Sequence, residues 1–131
     1  HACLQFERPA RGEVRDALAA ALAYRRCKAV FAVDEDVDIF SPDEVLWALA
    51  TRVQWSRDSM ILDGLSTSTL DPSLPAGAQT GSKIGVDATL PPAGGPGQPR
   101  AVPPRATVPE SAVRRARALL DGLGARDFPE A

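Results

Sequence analysis

The chain reads as an α/β domain: a small mixed, largely parallel sheet built on a βαβ unit, followed by a C-terminal helix on a tether. Three observations lead there. Cys27 to Val33 is an unbroken apolar run with β-branched and aromatic residues, which suits a strand covered on both faces. Glu13 to Arg25, just before it, carries Val14, Leu18, Ala21 and Leu22 at helical spacing, so a helix leads into that strand. Residues 91–108 are rich in Pro and Gly and hold no acidic residue, and an amphipathic segment follows them. Such a stretch buries too little apolar surface to offset its own ordering and reads as a linker. The expected organisation is therefore an α/β domain over 1–90, a linker over 91–108, and a docking helix with its tail over 109–131.

Taken in order, Ala2 to Phe6 is a first strand, ended by Pro9 and Gly12. The alanine-rich helix of Glu13 to Arg25 can lie close to a sheet, and the strand from Cys27 should run parallel to the first. Ser41 is a suitable N-cap, Pro42 suits the first helical position, and Glu44 completes a capping box. That helix runs to about Val53, with Val45, Leu46, Leu49 and Val53 as its apolar face and Trp47 partly covered. Ser59 to Leu62 is a third strand, Gly64 to Ser73 a polar loop, and Ser82 to Thr89 a fourth, edge-like strand weakened by Gly85. Thr107 and Glu110 frame Pro109 as a second capping box. The helix they open presents Val113, Ala116, Leu119, Leu120 and Leu123, with Gly122 and Gly124 as terminators.

Composition narrows the function. The 131 residues suit one domain, and 44% of them are hydrophobic, enough for a core. A net charge of -2 offers no basic field for a nucleic acid backbone, and no apolar run is long enough to cross a membrane. Cys3 and Cys27 both fall in expected strands and read as reduced thiols, which favours the cytoplasm. The chain opens on His1, not Met, and enters a strand at once, as a piece of a longer protein would.

The candidate site is the acidic turn of Asp34, Glu35, Asp36 and Asp38, between a buried strand and a capped helix. A calcium loop counted from Asp34 would need Gly and Glu where Ile39 and Val45 stand, so that template fails. A magnesium site needs fewer carboxylates and stays open. The structural alternative is that these carboxylates turn the chain and cap backbone N–H groups, and it is the favoured one. Nucleophilic catalysis by a Ser-His or Cys-His pair is improbable, since the one histidine is His1. Gly94-Gly95-Pro96-Gly97 lacks the strand and helix of a phosphate loop. The residues alone provide no catalytic, cofactor-binding or metal-binding set.

The order of motifs resembles the C-terminal part of the UbiD-like (3-polyprenyl-4-hydroxybenzoate decarboxylase-type) enzymes. The likeness is carried by Lys28 to Phe40 followed by Glu44 to Arg52, then by Arg57-Asp58, Leu70-Asp71-Pro72-Ser73, Ser82 to Thr89, and the closing helix with Arg114, Arg115 and Ala116. The resemblance implies a decarboxylase of aromatic or α,β-unsaturated acids that uses prenylated flavin mononucleotide and a metal ion. In that family the cofactor, the metal and a Glu-Arg-Glu acid-base set belong to the preceding domain, so no such residue carries over here. The chain would be the domain, or small subunit, that assembles oligomers and closes over a flavin-binding domain or large subunit, and it is expected to be inactive alone. Ile39 and Phe40, leaving the C-terminal end of the central strand, are the expected substrate-cleft neighbours. Two other readings remain: a stand-alone interaction module, and a small metal-dependent enzyme using the acidic turn.

Overall fold

A computed structural model describes residues 1–10, 12–90 and 107–122. The elements are β1 (Ala2–Phe6), α1 (Glu13–Ala23), β2 (Ala29–Asp34), α2 (Pro42–Arg52), a single turn α3 (Trp55–Asp58), β3 (Ser59–Ser66), β4 (Thr80–Asp87) and α4 (Glu110–Gly122). The strands form one sheet in the order β1-β2-β4-β3. β1 pairs with β2 and β2 with β4 in parallel, while β3 runs antiparallel to β4. The expected α/β class, the βαβ unit and the separate C-terminal helix are all present.

Alternation along the strands sorts the side chains to two faces. On one face Val14, Leu18 and Leu22 of α1 pack with Val30 and Ala32 of β2, joined by Leu4, Met60 and Leu62. On the other, Val45, Ala48 and Leu49 of α2 with Val53 cover Val33, Val37, Val86 and Ala88. This second layer sits over the C-terminal ends of the parallel strands. Phe31, Ile84 and Cys3 are only half-buried beside it, and Ile61 on β3 is 63% exposed.

Four local expectations are corrected. Cys27 precedes β2 and is buried in the α1 layer, rather than in a strand; both cysteines are free. β4 is interior, not an edge, paired with β2 on one side and β3 on the other, and Gly85 serves packing: a Cβ there would lie 3.2 Å from Leu22 Cδ1 and 3.3 Å from Leu18 Cβ, so the missing side chain lets α1 approach. The third strand runs on through Ser66, past an irregularity between Leu62 and Leu65 where Gly64 takes a φ of +72°. Helix α3 separates α2 from β3 and has no counterpart in the sequence reading. Residues 91–106 of the expected linker, Leu123 and Gly124 lie outside the described residues.

Two polar anchors fix the end of the sheet opposite the acidic turn. Lys83, buried in β4, donates from Nζ to the carbonyls of Leu22 and Tyr24 at 2.8 Å each, so a strand side chain caps the C-terminus of α1. Lys28 donates to Asp71 Oδ1 at 3.1 Å and Ser73 Oγ at 2.6 Å, tying the loop after β3 to the start of β2. The Lys28 ammonium and the Ser73 donors hold the Asp71 carboxyl down to about 2.

Candidate functional site at the carboxyl ends of the parallel strands

In open α/β sheets ligands gather outside the carboxyl ends of parallel strands. Here those ends are Phe6, Asp34 and Asp87. The acidic turn leaves β2 at this end and is shaped by one apolar residue among charges. Val37 is fully buried in the α2 layer, while Glu35, Asp36 and Asp38 on either side stay at the surface. The turn closes with Val37 N donating to Asp34 O at 3.1 Å. Gln5 of β1 braces it from the side, its Nε2 donating to Val37 O at 2.8 Å.

The carboxylates divide by role. Asp38 Oδ1 accepts from Phe40 N at 2.9 Å, and the Asp38 carbonyl accepts from Ser41 N. Ser41 Oγ accepts from Glu44 N, giving one half of the capping box. The Glu44 carboxylate reaches further back than the box pattern, to Asp38 N at 2.7 Å. Asp34 and Asp36 both meet Arg52, at the far end of α2. Nη1 lies 3.3 Å from Asp34 Oδ2, and the guanidinium forks onto Asp36 at 3.0 and 2.5 Å. The Arg52 side chain is 1% exposed, against 17% for Asp34 and 55% for Asp36. Its Cζ lies 5.1 Å from the Trp47 ring centroid, a cation–π contact. Its Nε is buried with no hydrogen-bond partner among the described residues.

Asp34 also accepts from Leu90 N at 2.6 Å, so it joins β2 to the segment that leaves β4. Burial pushes its carboxyl above the ordinary range, and Asp36 and Asp87 push the same way against the Leu90 N–H and Arg52. Asp87 accepts from Thr89 N and Oγ1, shaping the exit of β4. Across the sheet end Arg57 and Asp58 pair at 2.5 and 2.7 Å. Burial alone would raise the Asp58 carboxyl, but Arg57 and the Gln54 N–H bring it below the ordinary range.

Of the residues expected at a cleft, Ile39 is half-buried against the α2 layer and Phe40 is 88% exposed on a firmly bonded turn. The arrangement can present an aromatic side chain to a partner surface. Among the described residues a shallow depression is lined by Arg15 and Leu18 of α1 with Arg57, Asp58, Ser59, Met60 and Asp87. No group of three His, Cys, Asp or Glu side chains among the described residues is arranged to hold a metal ion. Arg52 is the residue that the sequence reading passed over. Its signal was present: Val45, Ala48, Leu49 and Arg52 fall at i, i+3, i+4 and i+7, which puts the arginine on the buried stripe.

Residues 1–88 match the family model described as 3-octaprenyl-4-hydroxybenzoate carboxy-lyase C-terminal domain, and the chain belongs to that family. The anhydromevalonate phosphate decarboxylase of Methanocaldococcus jannaschii is 41% identical over 91 residues, which are 69% of this chain and 22% of that enzyme. The UbiD-class enzyme HmfF of Pelotomaculum thermopropionicum, solved in complex with FMN, superposes with a TM-score of 0.66 at 35% identity, covering 82% of this chain and 23% of that one. The vanillic acid decarboxylase of Sedimentibacter hydroxybenzoicus, solved in a closed form, gives a TM-score of 0.64 at 26% identity over 95% of this chain and 26% of that one. The chain thus spans about a fifth to a quarter of the proteins it resembles.

Proposed function

We propose that this chain is the non-catalytic C-terminal domain, or a small subunit, of a UbiD-type decarboxylase acting on an aromatic or α,β-unsaturated carboxylic acid. The observation that carries the reading is the family match over 1–88, together with the small share of each relative that the chain spans. Its own residues do not fit prenylated flavin or its metal ion: the described residues offer no ligand cluster, and the carboxylates of Asp34, Asp36 and Asp38 are engaged by Arg52 and by backbone N–H groups. Cofactor and metal then belong to a flavin-binding domain or large subunit, which supplies the decarboxylation chemistry.

In this reading the chain's residues position and exclude water. Asp38 and Glu44 fix the backbone on either side of Phe40, so Ile39 and Phe40 meet the substrate cleft as a pre-formed apolar edge. Closing over the flavin domain is supported by the Sedimentibacter enzyme, which has been solved in open and closed forms. Assembly into a homo-oligomer is the second role, and the cytoplasm the proposed compartment. Within the described residues no helix is long and apolar enough to cross a membrane.

The test is reconstitution. The flavin-binding domain, loaded with cofactor, is assayed on an aromatic acid without this chain, with it, and with Phe40→Ala. Activity that needs the chain and falls at least tenfold with Phe40→Ala is expected. Full activity without the chain defeats the reading. The metal-enzyme alternative is checked by calorimetric titration of the chain with magnesium or manganese; a stoichiometric site lost in Asp36→Asn would favour it.

A further inference from the structure

The carbonyls of the acidic turn need partners as much as its N–H groups do, and one of them is met from another strand. Val37 is fully buried. Its N–H donates to Asp34 O, and among the described residues its carbonyl has one hydrogen-bond partner, Gln5 Nε2 at 2.8 Å. The same amide reaches Glu35 O at 3.4 Å. Gln5 interrupts an otherwise apolar strand, Ala2-Cys3-Leu4-Gln5-Phe6. Alternation puts it on the face of Cys3, which packs against the α2 layer, so the position suits an apolar residue. An amide there forgoes that contact and meets instead two carbonyls 30 and 32 residues further along the chain.

We propose that Gln5 is a positioning residue for the Ile39–Phe40 edge. Val37 is the pivot of the turn. On its upstream side Asp34 is held by Arg52 and by Leu90 N. On its downstream side Asp38, Ser41 and Glu44 tie the backbone to the start of α2. Neither set reaches the Val37 carbonyl, and the edge begins two residues later. Without the amide this carbonyl would have to turn toward water, and the peptide that joins Val37 to Asp38 would turn with it. β1 thereby sets where the edge stands, through a side chain whose hydrogen bonds go to Glu35 and Val37 and not to the edge itself. An edge fixed in advance loses less freedom when it meets a partner surface. This inference rests on the meeting of Ile39 and Phe40 with the flavin-binding domain proposed above, and it names a residue that controls it.

The test uses the 131-residue chain. Gln5→Met keeps the length of the side chain and removes the amide. Hydrogen exchange of the Val37, Asp38 and Phe40 N–H groups should then quicken about fivefold, with β4 unchanged. Binding to the flavin-binding domain, measured by surface plasmon resonance, should weaken by a similar factor. Lys28→Met cuts an anchor at the opposite end of the sheet, so it should lower Tm and leave that binding unchanged. Gln5→Glu makes the brace conditional on pH. Its carboxylate would face two carbonyl oxygens, with Glu7 two residues on and Glu35, Asp36 and Asp38 in the turn. On α2, Arg52 is committed to Asp34 and Asp36, and Glu44 to Asp38 N. Binding by Gln5→Glu should therefore be weak at about pH 7 and return toward wild type by about pH 5, where a protonated carboxyl can donate. The role is overturned by turn exchange unchanged in Gln5→Met, by a loosened turn that binds normally, by an equal loss of binding in Lys28→Met, or by a Gln5→Glu chain that stays weak on acidification. A wild-type chain that does not bind the flavin-binding domain defeats the decarboxylase reading instead, and the exchange measurement, made without that domain, tells the two failures apart.

Discussion

Replacing Arg52 with Met tests what holds the acidic turn. Met fills much of the same volume and keeps the stem against Trp47, so the change removes charge and hydrogen bonds with little cavity. Breaking a buried ion pair by removing one partner costs about 3–5 kcal/mol, because a charge is left without compensation. Two features reduce that here. Asp36 is 55% exposed, so water takes over its carboxylate, and Asp34 keeps the Leu90 N–H. Loss of the cation–π contact adds back about 0.5–1 kcal/mol. The expected destabilisation is about 2–3 kcal/mol, or a fall in Tm of roughly 10–20 °C for a domain of this size. Urea unfolding followed by circular dichroism measures it. Arg52→Lys, which retains charge but not the fork onto Asp36, should recover only part of the loss. In a double-mutant cycle with Asp36→Asn the two changes should be non-additive by about 1–2 kcal/mol. A loss under ~0.5 kcal/mol for Arg52→Met, or strict additivity with Asp36→Asn, would refute the claim that this pair organises the turn.

Other outcomes follow from the same geometry. Lys83→Met removes the cap of α1 and strands two carbonyls, so unfolding should become easier by about 2–3 kcal/mol, measured in urea. Gly85→Ala drives a methyl into Leu18 and Leu22 and should cost about 1–3 kcal/mol, read from the thermal midpoint; no loss would mean α1 is free to lift. Asp71 titrates at about 2 in the fold, below its unfolded value. The stability it contributes is therefore complete above the unfolded value and is lost as pH falls toward 2; carbon NMR of the carboxyl should show this, and Lys28→Met should move the midpoint up. Asp34 has the opposite sign. Its folded value is raised, so its ionisation weakens the fold as pH rises through that window, and Asp34→Asn should flatten this limb of the pH–stability curve.

Much of the fold was legible because strong local signals agreed with one another. The apolar run ending at Val33, the alanine-rich helix before it and the Ser41-Pro42-Glu44 start each fix an element without outside help. The misses share a cause: they depend on what lies across the sheet. Gly85 lowers strand propensity in isolation, yet in the fold it gives α1 room to rest on β4, which β2 and β3 flank. Gly64 reads as a loop signal, yet the strand absorbs it as an irregularity and pairing resumes at Leu65. At the candidate site the acidic turn was visible as four carboxylates, but their partners were not. Arg52 follows Asp36 by sixteen residues and Leu90 follows Asp34 by fifty-six, distances at which sequence spacing carries no pairing information.

Those distant partners bear on what the turn does. A carboxylate serving as an acid or base must keep a lone pair or proton facing a substrate. Asp34 instead receives a guanidinium and a backbone N–H, and Asp38 receives Phe40 N. Each bond removes freedom from the backbone between β2 and α2, and that backbone carries Ile39 and Phe40. Holding a large exposed aromatic on a turn fixed from both sides makes sense for a residue that must meet another surface in one orientation, since ordering it at the moment of contact would weaken binding. Loosening the turn without touching the aromatic separates the two ideas. Asp38→Ala frees Phe40 N and leaves the ring intact. If the turn is a mount, this variant should bind the flavin-binding domain more weakly than wild type, while its Tm falls by no more than the few degrees expected for a lost surface hydrogen bond. Surface plasmon resonance against that domain measures the first and calorimetry the second. Unchanged binding by Asp38→Ala, alongside weakened binding by Phe40→Ala, would show that the ring matters and its mount does not.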